Sequence, residues 1–244
     1  MNSLELKSNN QKKLLSYKKS FLDIVKLYNQ KRLPNKIIFS GPKGIGKATF
    51  AYHLINFIFS KDEEDNYDID NLKIIESNRS FNLLLSKTHP NFHLIDLMDE
   101  KKIIEISQIR EMYNYANKSS FNNKPKFVFI DNVENLNTNS LNALLKIIEE
   151  PNDKLIFILI HNSSKKIINT IKSRCIVFKK HFSFDENLSI ANSLTNDNLK
   201  NLINTNIINH YFTVGEYLNL LSFSETNSLD LNEMSLKNLI LHII

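Results

Sequence analysis

The residues best suited to chemistry lie in one glycine-rich stretch near the first quarter of the chain. Its members are Gly41, Pro42, Lys43, Gly44, Ile45, Gly46, Lys47, Ala48 and Thr49. Glycines permit the backbone angles by which successive N–H groups line a nest for phosphate oxygens, and the closing lysine can reach the outer phosphates. A glycine turn that binds nothing is the alternative interpretation.

The segments on either side favour the phosphate loop. Lys36–Ser40 is a short apolar run typical of a strand, and Phe50–Phe59 is too long an apolar run for an ordinary strand. Strand, glycine-rich turn and helix in this order are the context of a phosphate-binding loop. The helix would add the positive end of its dipole. We therefore predict that residues 41–49 bind the phosphates of a nucleotide.

The residue after Lys47 weakens the expectation of hydrolysis. A serine or threonine belongs there because its hydroxyl holds Mg²⁺, whereas Ala48 has no oxygen to offer. Thr49 lies one residue later, rotated by about 100° around the helix. Nucleotide binding is still predicted, but efficient metal-assisted hydrolysis is not.

A carboxylate at the end of a later apolar run is the candidate metal ligand. Lys126–Asp131 is β-like and nearly continuous in its apolar residues, as expected for a strand buried on both faces. Ligands in parallel sheets lie at the carboxyl ends of the strands. We therefore expect Asp131 to face the loop and hold Mg²⁺, usually through water. The alternative is a cap for the following turn.

These candidate residues need an α/β framework, and the pattern of the chain supplies one. Strands alternate with helical segments from about residue 36 to 178, which predicts a mostly parallel sheet. The expected strands are 36–40, 92–97, 126–131, 155–160 and 176–178. The expected helices are 10–31, one from residue 47, one capped by Ser107, one from residue 138 to 150, and 167–171.

The pattern changes beyond Lys180. Helical spacing continues over 186–194 and 197–203, and Thr213 with Glu216 matches a capping box. We expect an α/β domain over 1–180 and a small helical domain over 181–244. A length of 244 residues agrees with one or two domains at roughly 150 residues each.

Composition limits the class of protein. The net charge of +5 is compatible with a nucleic-acid partner, but abundant Asn, Lys and Ile also follow from AT-rich codons. Cys175 is the single cysteine, which excludes an internal disulfide framework and a multi-cysteine zinc site. The first residues lack the apolar core of a signal peptide, and no apolar run reaches membrane-spanning length. We expect a cytoplasmic protein without zinc or membrane contact.

Several motifs together resemble the AAA+ clamp-loader subunits of bacterial DNA polymerase III, most closely the delta-prime type. The resemblance covers about residues 10–180. The motifs are Lys31–Pro34, Gly41–Thr49, His89-Pro90, Ile109-Arg110, Ile130–Glu134, Asn142–Pro151 and Ser173–Cys175.

The resemblance implies roles for two further residues. In such loaders ATP lies at subunit interfaces, and the arginine of the Ser-Arg-Cys motif reaches the nucleotide of the neighbouring subunit. Arg174 matches that arginine finger, for which a rigid and always charged fork is suited. Asn162 matches a sensor position, where its amide would orient a water. A surface arginine and an ordinary turn asparagine are the alternatives.

The chain also departs from the family pattern. The residue after the metal-binding aspartate is a glutamate that activates water in hydrolytic members, but here it is Asn132, which cannot accept a proton. Glu134 would have to be repositioned to act instead. The four zinc-binding cysteines of many members are missing. The chain ends before a third, helical collar domain is completed, so we expect that domain to be absent or truncated.

The resulting hypothesis is an accessory, delta-prime-type subunit in a hetero-oligomeric polymerase holoenzyme. Its implied partners are the clamp-loader ATPase subunits and the delta-type subunit, with the sliding clamp and primed DNA engaged through the complex. Its own site would hold ATP and Mg²⁺ weakly or not at all. Two alternatives stay open: a hydrolytically active motor subunit of the same loader, and a stand-alone P-loop kinase or repair ATPase.

The first prediction concerns turnover by the isolated chain. Ala48 removes a metal ligand and Asn132 removes the expected base, a group that contributes about 10²–10⁴-fold to rate. We expect phosphate release from saturating Mg-ATP to stay far below 1 per second. Turnover of about 1 per second or more, which is ordinary for an enzyme, would favour the motor-subunit alternative.

Overall fold

The computed structural model describes residues 7–98, 101–150, 154–195, 197–208 and 211–243. Its centre is a five-stranded sheet in the order β2-β3-β4-β1-β5, with every pairing parallel. The strands are β1 Lys36–Gly41, β2 Phe92–Ile95, β3 Lys126–Ile130, β4 Leu155–Asn162 and β5 Ile176–Lys179. The predicted α/β class, with a parallel sheet, is therefore confirmed.

Ten helices surround and follow this sheet within the described residues. They are α1 Lys18–Asn29, α2 Lys47–Ser60, α3 Arg79–Leu85, α4 Ile106–Ala116, α5 Thr138–Glu149, α6 Asn169–Lys172, α7 Phe184–Thr195, α8 Leu199–Leu202, α9 Val214–Asn227 and α10 Leu236–Ile243. The sequence pattern did not predict α3, which begins at the Asn78 cap.

The order of the strands brings the candidate residues together. β4 lies between β3 and β1, and all five residues of β3 are buried because both faces of the sheet are covered. The carboxyl ends of these three neighbouring strands lead into Asp131, Asn162 and the glycine-rich loop. The apolar runs thus determine which polar residues meet at one edge of the sheet.

The predicted helix from residue 10 to 31 is wrong in its first part. α1 begins only at Lys18, and the segment before it pairs with a later stretch of the chain. The Leu14 N–H donates to the Leu72 carbonyl over 3.0 Å, and the Ile74 N–H donates to the Lys12 carbonyl over 2.8 Å. This long-range pairing supplies the backbone hydrogen bonds that a helix would otherwise have made.

The expected caps have mixed outcomes. Ser107 does not cap α4, because the cap is Glu105, whose N–H donates to the Gln108 side chain in a reciprocal capping box. The Thr213–Glu216 capping box at the start of α9 is confirmed. Pro151, at which the sequence predicted the end of α5, lies outside the described residues.

The helical region after β5 packs on the sheet rather than apart from it. Phe182, Ile190, Val214 and Tyr217 belong to the same buried cluster as the side chains of α1 and α2. The division into two domains at residue 180 stays a prediction. Within the described part of the chain, no helix is long and apolar enough to cross a membrane.

A buried histidine links the irregular N-terminal segment to α2. His53 contacts the Tyr67 hydroxyl through Nδ1 at 2.8 Å and the Gln11 carbonyl through Nε2 at 3.0 Å. Burial lowers the pKa of His53 to about 4. The neutral imidazole is therefore the form that the folded protein holds at neutral pH.

This burial predicts acid sensitivity. Between about pH 6.5 and pH 4 the unfolded chain binds a proton at His53 that the folded chain excludes, so stability falls as the pH falls. We expect His53 to account for about 2 kcal/mol of the unfolding free energy lost between pH 7 and pH 5. Urea titrations at both pH values should show a smaller loss for His53→Gln, with exposed His181→Gln as control. Equal losses would contradict the assignment.

Candidate nucleotide-binding site

The start of α2 is an uncapped helix terminus. Its N-cap is Gly46 at φ 85°, without a capping side chain, and the first turn carries no acidic residue. The first N–H groups of a helix have no acceptor within it. Gly44, at φ 84°, also adopts the left-handed backbone that glycine tolerates. The loop therefore presents donors and a positive dipole end suited to an anion.

Lys47 lies at the base of this loop. Its Nζ donates to the carbonyls of Gly41 at 2.8 Å and Pro42 at 2.6 Å, and only 6% of the residue is exposed. Burial lowers the pKa of Lys47 to about 8, although nearby Asp131 and Glu134 act in the opposite direction. The ammonium is still mostly charged at neutral pH and adjoins the site where phosphates would bind.

A cavity of about 360 Å³ opens above the loop, between the sheet edge and the helical region. Its polar wall includes residues 43–49, Asp131, Asn132 and Asn162. Its apolar wall is formed by Leu14, Leu15, Phe182, Ile190, Leu194, Val214 and Leu218. A flat base against the apolar wall and phosphates at the helix terminus would match this division, so the residues fit a nucleotide.

Asp131 lies where it could bind a metal ion, in surroundings that disfavour ionisation of its carboxyl group. The Asp131 N–H donates to the Ile95 carbonyl at 2.9 Å, which fixes the residue beside β2. Burial, and then the charge of Asp96, raises the pKa of Asp131 to about 6, against the effects of the Asn132 N–H and Lys47. The carboxylate also accepts the N–H of the adjacent Asn132 at 2.9 Å.

Magnesium fits this site only with help from phosphates. Among the described residues no group of three His, Cys, Asp or Glu side chains could hold a metal ion. Mg²⁺ is, however, commonly bound by one or two carboxylates together with substrate phosphates and water. Asp131 would be the protein ligand, and the methyl group of Ala48 adds none.

Asn132 stands at the position of the water-activating glutamate, Glu134 follows two residues later, and both side chains form hydrogen bonds. Asn132 adopts a left-handed backbone at φ 56°, and its Nδ2 donates to Asp96 Oδ1 at 2.8 Å. Glu134 Oε2 accepts the backbone N–H of Asn162 at 3.1 Å. Of the two side chains only Glu134 carries a carboxylate, and one of its oxygens accepts the Asn162 N–H.

Asp96 is the residue that the sequence interpretation missed. It directly follows β2, and it accepts a hydrogen bond from Asn132 while it raises the pKa of Asp131. The rule applied to Asp131, that polar residues at the carboxyl ends of parallel strands meet, would have found it.

The two residues carried over from the family lie in different places. Asn162 lines the cavity, but its Oδ1 accepts the Ser164 N–H at 3.1 Å and the Ser164 hydroxyl at 2.9 Å, as in an ordinary Asx turn. Arg174 is outside the cavity lining, on the turn between α6 and β5. Its side chain is 38% exposed and pairs with Glu149.

The parallel sheet, the glycine-rich loop after β1 and the acidic end of β3 define an α/β protein of the P-loop class. More narrowly, the chain belongs to the family described as DNA polymerase III, delta subunit, whose model matches residues 17–182.

The chain is also similar to individual curated proteins and solved structures. The chain is 26% identical over 191 residues to DNA polymerase III subunit delta' of Buchnera aphidicola subsp. Schizaphis graminum, covering 78% of this chain and 56% of that protein. It is 32% identical over 160 residues to the gamma/tau subunit of Mycoplasma genitalium, covering 64% and 25%. The Thermotoga maritima RuvB branch migration motor aligns with a TM-score of 0.46 and 17% identity, covering 78% and 56%.

The chain spans about half the length of the curated delta' relatives it matches. The covered share of the first four of them runs from 40% to 56%.

The site predicts that glutamate at position 132 is destabilising here. Asn132→Glu would place a larger side chain in a left-handed backbone, remove the bond to Asp96 and add a carboxylate to those of Asp96, Asp131 and Glu134. We expect a loss of about 2–3 kcal/mol in unfolding free energy, measured by urea denaturation. Asn132→Gly keeps the backbone unstrained and should lose less. If Asn132→Glu is as stable as the wild type, the geometry described for Asn132 is wrong.

Proposed function

We propose that this chain is an accessory subunit of a DNA polymerase III clamp loader. In this role it helps the complex to use ATP to place the sliding clamp on primed DNA. Membership of the delta-subunit family supports the proposal, as does the similarity to the gamma/tau type of subunit. Its partners would be gamma-type ATPase subunits and a delta-type subunit, with the clamp and DNA contacted through the assembly.

One observation carries the assignment of Arg174 as an arginine finger. Arg174 and Glu149 belong to the two segments with the most specific resemblance to clamp loaders, and they form an ion pair. The Arg174 Nε and Nη2 both lie 2.7 Å from Glu149 Oε1. The Arg174 Nη1 donates to the Thr170 carbonyl at 2.9 Å.

These contacts support action on a neighbouring subunit. They hold the guanidinium on the surface with its orientation constrained, outside the cavity of its own chain. A planar fork held in advance loses less conformational freedom when it meets a phosphate. Arg174 would stabilise the charge that develops on a γ-phosphate bound by the next subunit.

The chain's own site is proposed to bind ATP weakly and to hydrolyse it poorly. Ala48 lacks the metal-binding hydroxyl, while Asn132 and Glu134 are held by other hydrogen bonds. When bound, Mg²⁺ would neutralise phosphate charge. Lys47, the α2 terminus and Asp131 would orient the nucleotide. The motor-subunit alternative requires Glu134 to leave the Asn162 N–H.

Arg174→Ala should lower the ATPase of the reconstituted loader when clamp and primed DNA stimulate it. A finger supplied by a neighbour is worth about 10³–10⁵-fold at its own interface, and several interfaces in one complex dilute that effect. Arg174→Lys tests the planar fork, because it keeps the charge and should still fail. Glu149→Gln should give an intermediate loss, since it weakens the pair that orients Arg174.

The matched control is Lys47→Ala, which removes the cation of the home site. It should change loader ATPase much less than Arg174→Ala if that site contributes little. Size-exclusion chromatography must show that each variant still enters the complex. An active loader with Arg174→Ala, together with an inactive one with Lys47→Ala, would reverse the two assigned roles.

A further inference from the structure

All four glycines of the chain meet at the phosphate loop. Gly41, Gly44 and Gly46 belong to the loop, and the fourth, Gly215, is the second residue of α9 in the helical region. The Gly215 N–H donates to the Gly44 carbonyl at 2.9 Å. The first turn of α9 therefore rests directly on the backbone of the loop.

Neither glycine of this contact can carry a side chain without movement. A Cβ at Gly215 would lie 2.7 Å from the Gly44 Cα. A Cβ at Gly44 would lie 2.6 Å from the Thr213 Oγ1 and 3.0 Å from the Gly215 Cα. At Gly215 the approach is to a backbone atom, so a side chain there requires one of the two segments to shift. At Gly44 a side chain would displace the Thr213 hydroxyl and would also be strained at φ 84°.

A second contact holds the next carbonyl of the loop. The Tyr17 hydroxyl donates to the Ile45 carbonyl at 3.0 Å. Burial raises the pKa of Tyr17, which keeps the hydroxyl protonated as a donor. Its ring is fixed between Phe50 and Phe182, with ring centroids 5.0 and 5.1 Å away.

These two contacts determine where the loop N–H groups point. In a trans peptide the C=O and the following N–H point to opposite sides. When Gly215 and Tyr17 hold the carbonyls of Gly44 and Ile45, the N–H groups of Ile45 and Gly46 are turned away from those partners. Donors fixed before the ligand arrives bind an anion without the cost of ordering it at that moment.

We propose that Gly215 is a positioning residue for phosphate binding: by seating α9 on Gly44, it holds the loop in the orientation that accepts a phosphate. The inference rests on the nucleotide site of the proposed function and names a residue that determines its affinity. Because the coupling between two equilibria is reciprocal, a bound phosphate also strengthens the docking of α9.

The test compares Gly215→Ala with Asn219→Ala, an exposed change on the same helix. Ligand affinities are measured by calorimetry with ADP, which carries phosphates, and with adenosine, which does not. We expect Gly215→Ala to weaken ADP binding by about tenfold or more, the range for losing hydrogen bonds to a charged group. Adenosine affinity should change less than about twofold. Asn219→Ala should alter neither affinity.

Thermal unfolding gives a readout of opposite sign. Alanine normally stabilises a helix relative to glycine. If Gly215 had no positioning role, Gly215→Ala would therefore raise the Tm by about 2–4 °C. The proposed contact predicts a lower Tm instead. Tyr17→Phe keeps the packed ring and removes only the hydroxyl. It provides a second, milder variant that should lose ADP affinity but not adenosine affinity, even if Gly215→Ala fails to fold.

The possible outcomes distinguish the positioning role of Gly215 from the nucleotide site on which that role rests. If wild-type protein binds ADP, and both Gly215→Ala and Tyr17→Phe bind it equally well, the positioning role is overturned while the nucleotide site stands. If the wild-type protein does not bind ADP at all, both are overturned. Selective loss of ADP affinity in folded Gly215→Ala supports the positioning role, and normal ADP affinity in that variant overturns it whatever Tyr17→Phe shows. Amide exchange at Gly215 that slows when ADP is added would support the reciprocal coupling.

Discussion

The burial of α2 is the constraint on which the rest of the site depends. Most of its residues are buried, including Phe50, Leu54, Ile55 and Ile58, because it packs between the sheet, α1 and the N-terminal segment. A helix that is apolar on nearly every side must lie inside the protein. Its first N–H groups lie at the cavity and have no capping side chain. Leaving such donors unpaired costs free energy, and an anion relieves that cost.

The charged groups around the N-terminus of α2 only partly neutralise one another. The Lys47 ammonium interacts with the Asp131 and Glu134 carboxylates, and Asp96 lies beside Asp131. Burial, and then the charge of the neighbouring Asp96, raises the pKa of Asp131 to about 6. A divalent cation would relieve this repulsion, whereas a phosphate alone would pair with Lys47 and α2. A metal ion would therefore interact with the carboxylates of this cluster, and a phosphate would interact with Lys47 and the α2 terminus.

The sequence predicted the sheet better than its surroundings. Continuous apolar runs such as Leu155–Ile160 have one stable environment, the centre of a parallel sheet, so the strands and the phosphate loop followed from local pattern. The start of α1 was wrong because residues 12–14 pair with residues 72–74, which helical spacing does not reveal. Gly215 was missed although the scarcity of glycine in the chain was a usable signal. The sequence pattern does not show that residue 215 lies against residue 44, because that contact forms only in the folded chain.

Hydrogen bonds hold polar side chains in place at two different locations in this fold. At the sheet edge, Asn132 donates to Asp96, and Glu134 accepts the N–H of Asn162. On the turn after α6, Arg174 is fixed by Glu149 and Thr170 in a way that leaves the guanidinium on the surface. A guanidinium whose orientation is already constrained at the surface loses less freedom when it meets a charged group on another molecule. This difference in placement, inside the site for Asn132 and Glu134 and at the surface for Arg174, is the physical basis on which action in trans is proposed for Arg174.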